Sequence, residues 1–94
     1  MKLISITRSD KVDKKYTAKF DSNSFTKKVH FGSKNSSTYI DHKDPAKKDA
    51  YLARHKVNEN WNDPTSPGAL SRYILWNKKT LNASIADYKK RFNM

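Results

Sequence analysis

The side chains best suited to acid–base or metal chemistry in this 94-residue chain are three histidines and a few carboxylates. Two groups of them stand close together in the sequence: His42 with Asp41 and Asp44, and His55 with Asn58 and Asn60. A nuclease site of this type would need a general-base histidine and metal ligands on one compact hairpin–helix unit. The three histidines fall instead on separate predicted elements, and the sequence contains no His-Glu-x-x-His motif or glycine-rich phosphate loop. We therefore predict no catalytic residue, no metal site and no cofactor, and we expect a protein that is not an enzyme.

Cations are the residues that the sequence holds in excess. Lys and Arg number 20 against nine Asp and Glu, which gives a formal net charge of +11. Solubility of a small domain requires a net charge of only about 2–8, and the self-repulsion of a larger charge opposes folding. Binding to nucleic acid, which releases condensed counterions, is the commonest reason for such a surplus. Acidic proteins, anionic membrane surfaces and a basic surface without a partner are the alternatives.

The basic residues concentrate in three parts of the chain, and we predict that they contact nucleic acid. They are Lys14, Lys15, Lys19, Lys27, Lys28 and Lys34 in the first third, Lys47, Lys48 and Arg54 in the middle, and Lys89, Lys90 and Arg91 near the end. Lysine outnumbers arginine 16 to 4. Bidentate reading of bases favours arginine, so this bias indicates phosphate contact without sequence preference. Exposed strand lysines also prevent edge pairing, but that role does not explain an imbalance of this size.

The first third of the chain is predicted to form strands at Leu3–Thr7, Lys14–Asp21 and Phe25–Phe31. Apolar side chains alternate with polar ones in all three. The predicted apolar faces consist of Ile4 and Ile6, then Tyr16, Ala18 and Phe20, then Phe25, Val29 and Phe31. Lys15, Lys19 and Lys28 fall on the opposite face, which suits it to following a phosphate backbone. Thr38–Ile40 is expected to be a fourth short strand or an extended arm, with Tyr39 exposed as a possible contact.

The second half of the chain is predicted to be helical. Asp44-Pro45 and Ser66-Pro67 are typical helix starts, and they predict helices to about Val57 and to about Asn77. The predicted inner stripes are Ala50, Ala53 and Val57 in the first helix, Leu70, Tyr73 and Ile74 in the second, and Leu81, Ile85, Tyr88 and Phe92 in a third. The predicted fold is α+β: one basic domain, 1–94, whose sheet half (1–40) is a three-stranded antiparallel meander covered by about three helices of the helical half (44–93).

Aromatic residues can stack on nucleic-acid bases, but the aliphatic residues here are too few to form a core without them. We therefore predict core positions for Phe20, Phe31, Trp61, Tyr73, Trp76, Tyr88 and Phe92. The chain has no cysteine, which fits a reducing compartment, and no apolar run approaches the roughly 20 residues of a membrane span.

Several segments together resemble a known group of proteins. They are Val29-His30-Phe31-Gly32, His42-Lys43-Asp44, Tyr51–His55, Asn58-Glu59-Asn60-Trp61, Gly68–Lys78 and Ser84–Phe92. The chain is similar to small basic proteins of nucleocytoplasmic large DNA viruses, the giant viruses, from about Lys14 onward. The segment Ser33–Ser37 departs from that pattern, because a second glycine and an acidic residue are expected there.

This resemblance implies a viral origin but no activity that can be assigned to particular residues. It favours a non-sequence-specific DNA-binding protein that packages or organises a viral genome, with double-stranded DNA as the main partner. The alternative is a minor structural protein that cements acidic surfaces of capsid proteins. Both hypotheses place the protein in the virion and in the host cytoplasm or nucleus, away from membranes.

Overall fold

A computed structural model of the chain describes residues 1–57, 59 and 61–94. Three strands form one antiparallel sheet in sequence order: β1 (Lys2–Arg8), β2 (Lys14–Asp21) and β3 (Thr26–Ser33). The helices of the described residues are α1 (Tyr39–His42), α2 (Pro45–His55), α3 (Pro67–Leu70) and α4 (Leu81–Arg91), and a π-helical turn at Ser71–Leu75 continues α3. The predicted α+β class and N-terminal meander are confirmed, with four helices and a π turn where about three helices were expected.

The sheet has one apolar face, called the inner face here, which packs against the helices. It contributes Leu3, Ala18, Phe20, Val29 and Phe31 to a buried cluster. The helical half completes this core with Leu70, Ile74, Leu75 and Tyr88. The alternation of apolar residues in β2 therefore predicted the correct face, because each strand turns successive side chains to opposite sides.

Strand β1 differs from its predicted alternation at Ile4. Leu3 pairs with Phe20 but Ser5 pairs with Lys19, so one extra residue of β1 lies between two consecutive partners in β2. This is a β-bulge. It places Leu3 and Ile6 on the inner face, whereas Ile4 is 51% exposed. The predicted grouping of Ile4 with Ile6 is wrong because a bulge interrupts the period of two.

The predicted helix starts are confirmed by capping hydrogen bonds. Asp44 Oδ1 accepts from the amide of Ala46 at the start of α2, and Ser66 Oγ accepts from the amide of Ala69 at the start of α3. Thr80 Oγ1 likewise accepts from Ala83 N at the start of α4. Each side-chain oxygen satisfies an amide that has no partner within its own helix.

The π-helical turn explains why two consecutive residues after α3 are buried. The amide of Trp76 donates to the carbonyl of Ser71 five residues earlier, at 3.1 Å. A turn of five residues brings Leu75, as well as Ile74, to the side of the helix that Leu70 occupies. Ile74 and Leu75 both reach the core as a result.

The segment after the sheet is a short helix, not the predicted strand or arm. Thr38 caps α1, and its amide and hydroxyl both donate to Asp41 Oδ2 at 2.8 and 3.0 Å. This capping box turns Tyr39 into the protein, where only 7% of it is exposed. The prediction that Tyr39 is an exposed contact residue is therefore wrong.

Four further predicted apolar positions of the strands and helices are exposed. Phe25 lies in the turn before β3 and is 54% exposed, and Val57 follows α2 and is 80% exposed. Ala50 and Ala53 are also exposed. The buried residue of α2 is Tyr51, which lies outside the predicted stripe and stacks on Trp76 at 4.3 Å between ring centroids. Ring stacking, rather than a stripe of small aliphatic residues, determines which side of α2 is buried.

Candidate nucleic-acid interface

The side of the sheet opposite the helices, called the outer face here, is polar and open. Cross-strand pairing arranges its central side chains in two rows. The rows are Ser5, Lys19 and Lys28, then Thr7, Thr17 and His30. These six residues, with Arg8, Asp10 and Lys11 at one end, line a shallow depression of about 540 Å³. The face presents ammonium groups and hydroxyls, which are donors suited to phosphate oxygens.

Lys19 and Lys28 are the central feature of the outer face. They are direct cross-strand partners, and both are exposed. Like charges in this arrangement repel each other and destabilise a sheet. Within residues 1–57, 59 and 61–94, neither lysine forms a hydrogen bond or an ion pair through its side chain. Asp21 lies in the next row, where it accepts from the Thr26 hydroxyl.

The second row is ordered by hydrogen bonds around His30. Its Nδ1 lies 2.8 Å from Thr17 Oγ1 and 2.9 Å from Ser9 Oγ. This nitrogen carries either one N–H or one lone pair, so it forms a full hydrogen bond with only one of the two hydroxyls at a time. The contacts tie β3 to β2 and to the turn after β1, and they hold the imidazole beside the lysine row.

The other predicted cations of the sheet half are placed differently. Lys15 is only 13% exposed in its side chain, and its Nζ donates to Asp41 Oδ2 at 3.0 Å and to the Ser36 carbonyl at 2.8 Å. Burial raises the pKa of Asp41, but hydrogen bonds from Thr38 and Lys15 outweigh it and lower that pKa. Lys15 thus holds the turn after β3 against the sheet. Lys27 lies on the inner-face side of β3, across from Phe20, and its Nζ is 3.3 Å from Thr65 Oγ1.

The predicted cations of the helical half do not share the outer face, since the helices pack on the other side of the sheet. Lys48 donates to the carbonyl of Asn77 at 2.7 Å and lies 4.9 Å from the Tyr39 ring centroid. Burial, followed by the nearby charge of Arg72, lowers the pKa of Lys48. Arg91 pairs with Asp87 at 3.4 Å. Lys14 and Arg54 line a cleft on the helix side of the sheet. The remaining predicted residues are exposed and lie outside that cleft: Lys34 after β3, Lys47 in α2, and Lys89 and Lys90 in α4.

The histidines considered for chemistry have separate structural roles. His42 Nδ1 accepts from the amide of Asp44 at 3.0 Å, and His55 Nδ1 lies 3.0 Å from Glu59 Oε1. Asn58 and Asn60 lie outside the described residues. No group of three or more His, Asp or Glu side chains in the described ranges could hold a metal ion. In the same ranges, no helix is long and apolar enough to cross a membrane.

The hydroxyl residues of the outer face and His30 are not among the site residues predicted from the sequence. Alternation alone placed His30 opposite the apolar face, and the same pattern in β2 places Thr17 there. In β1, Ser5 and Thr7 flank Ile6, so the period of two places them on the outer face as well.

The fold and this face define a small α+β protein with a basic sheet surface that the helices leave uncovered. Residues 4–55, more than half of the chain, match the model of a protein family described as a family of unknown function, DUF5754. The chain belongs to this family. No curated protein and no solved structure was found to match the chain.

Proposed function

We propose that this protein binds double-stranded DNA without sequence preference and that the outer face of the sheet is its interface. The observation that carries the proposal is the uncompensated pair Lys19 and Lys28, which are directly opposed on neighbouring strands. Such a pair opposes folding on its own, and a row of phosphates would remove the repulsion. A role in packaging or organising the genome of a large DNA virus rests on the sequence resemblance.

The chemistry of the face supports contact with phosphate and sugar groups. Its lysines are flexible point charges, and its serine and threonine hydroxyls can donate to phosphate oxygens. The large aromatic rings of the sheet strands, Tyr16, Phe20 and Phe31, lie on the inner face. Single-strand binding by sheets typically uses aromatic rings on the exposed face, so the groups present here favour a duplex backbone.

The test is a salt titration of binding to labelled duplex DNA, followed by fluorescence anisotropy. We expect log K to fall linearly with log salt, with a slope of about −0.9 for each phosphate contacted, and two unrelated duplex sequences to bind equally. The K19Q/K28Q variant should reduce the slope by about 1.8. The K89Q/K90Q variant, with the same change in net charge on the other side of the sheet, should retain most of the binding.

Three results separate the alternatives. No affinity of the wild-type protein for duplex DNA at about 50 mM salt would contradict the proposal. Equal losses in the two double variants would mean that net charge, and not the outer face, is responsible. Binding to acidic capsid surfaces that survives nuclease treatment of disrupted virions would instead favour the cementing role.

A further inference from the structure

A second site candidate lies on the helix side of the sheet. The end of β3, the turn after it, α2 and the start of α3 line a half-open cleft of about 460 Å³. This volume is within the range of about 300–1,000 Å³ that is usual for small-molecule sites. None of the six central residues of the outer face takes part in lining it. The cleft is therefore separate from the proposed DNA interface.

The apolar part of the cleft is formed by stacked rings and core residues. The ring of Tyr51 lies between His55 and Trp76, with centroid distances of 4.1 and 4.3 Å. Phe31 and Leu75, both buried, also line the cleft. Burial, followed by the negative charge of Glu59, raises the pKa of Tyr51 to about 12. Tyr51 is thus a neutral phenol at physiological pH.

The charged part of the cleft favours an anion. Lys14 and Arg54 both line it, and neither side chain has a hydrogen-bond or ion-pair partner within the described residues. Among the residues that the structure describes, Glu59 is the only acidic one that lines the cleft. Its two oxygens are already engaged, one with His55 Nδ1 at 3.0 Å and the other with Trp61 Nε1 at 2.8 Å. The two cations are left available to a ligand, and arginine in particular recognises phosphate and carboxylate oxygens.

The wall of the cleft next to β3 is held in place without a ligand. Lys15 binds the carbonyl of Ser36, and the Thr38 cap fixes the start of α1. Gly32 has a φ of 79°, and a Cβ at this position would lie 2.8 Å from Leu75 Cδ1. The positive φ favours glycine here, and a larger residue would press on the Leu75 side chain, which lines the cleft. A preformed wall lowers the loss of conformational entropy on binding.

We propose that this cleft binds a small organic phosphate, with its anionic group at Lys14 and Arg54 and its apolar body against Tyr51, Leu75 and Trp76. The assignment follows from two cations that have no partner among the described residues and that lie beside an apolar floor in a cleft of ligand size. Hydroxyls of Ser36, Ser37 and Ser71 at the same cleft could accept or donate further hydrogen bonds.

The test uses adenosine 5′-monophosphate as the probe, with adenosine and inorganic phosphate for comparison. Binding is followed by calorimetry and by tryptophan fluorescence, since Trp76 lines the cleft. We expect the nucleotide to bind more tightly than either fragment. R54Q and K14Q should each weaken it by about tenfold or more, as expected for loss of a charge-assisted hydrogen bond.

The matched control is K47Q, which removes one charge from an exposed position of α2 that does not line the cleft. It should leave nucleotide binding unchanged, as should K19Q/K28Q. Circular dichroism shows whether each variant is folded. With two independent cleft variants, misfolding of one still leaves the other to test the proposal. Absence of nucleotide binding at millimolar concentration, or equal weakening by K47Q, would overturn the proposal. Loss of nucleotide binding only in K19Q/K28Q would overturn it too, because the probe would then lie on the outer face. DNA binding by the outer face is measured separately and does not depend on these results.

Discussion

Charge reversal at Lys28 tests the Lys19–Lys28 pair of the outer face through two properties, the stability of the fold and the affinity for DNA. The first should rise and the second should fall. Directly opposed strand side chains have Cβ atoms about 5 Å apart, and two repelling ammonium groups spread to about 7 Å. In water at that distance, two unit charges repel by about 0.6 kcal/mol. In 10 mM salt, where the Debye length is about 30 Å, about 0.5 kcal/mol of this remains. K28E replaces repulsion of Lys19 by attraction, so folding should be stabilised by about twice that value, ~1 kcal/mol.

The same substitution should weaken DNA binding. It removes one phosphate contact and places a negative charge on the interface, so the slope of log K against log salt should fall in magnitude by at least about 0.9. A variant that is more stable but binds less well is expected of a functional surface and not of a structural one.

The assays are urea unfolding in low salt and in about 150 mM salt, where the gain in stability should shrink to about half, together with the anisotropy titration. K90E is the matched control, because it makes the same change in net charge in the last turn of α4. A negative charge near a helix C-terminus lowers stability by about 0.3–1 kcal/mol, so its effect on stability should have the opposite sign. A loss of stability in K28E, or an equal loss of DNA binding in K90E, would refute the reasoning.

Three further substitutions test the elements that support the two sites. Asp41→Asn should lower stability by about 1 kcal/mol at neutral pH, through loss of the cap and of the Lys15 contact. Because the pKa of Asp41 is lowered in the folded protein from 3.8, this contribution is present above that value and disappears as the pH falls through the folded pKa. The difference in urea midpoint from wild type should therefore vanish at strongly acidic pH, and a constant difference would exclude the carboxylate as its cause. Gly32→Ala should lower stability by about 1–3 kcal/mol in thermal unfolding, because φ is positive and the new Cβ meets Leu75; an unchanged melting temperature would contradict the close approach. Phe20→Ala should cost about 3–5 kcal/mol in urea unfolding, since the ring is fully buried, and a loss below 1 kcal/mol would mean that the core is not where we place it.

Local patterns in the sequence were sufficient for the strands and most helix boundaries. The alternation around Phe20 and the Asp44-Pro45 and Ser66-Pro67 starts depend on neighbouring residues only, and the structure confirms each of them. The bulge at Ile4 could not be predicted in this way, because it is defined by the register of a second strand. The buried side of α2 was missed for a related reason: Tyr51 is buried by Trp76, which is 25 positions away in the chain.

In the candidate sites, too, some features follow from the local sequence and others depend on distant residues. The sequence by itself determined the charge excess of +11, and the period of two in β2 and β3 determined that Lys19 and Lys28 share a face. Only the tertiary structure decided which cations are available. The same period assigns Lys15 in β2 to the side of Lys19, yet Asp41, 26 residues later, binds it. Whether a lysine can contact a ligand depends on the charges that folding brings within a few ångströms, and those charges come from distant parts of the chain.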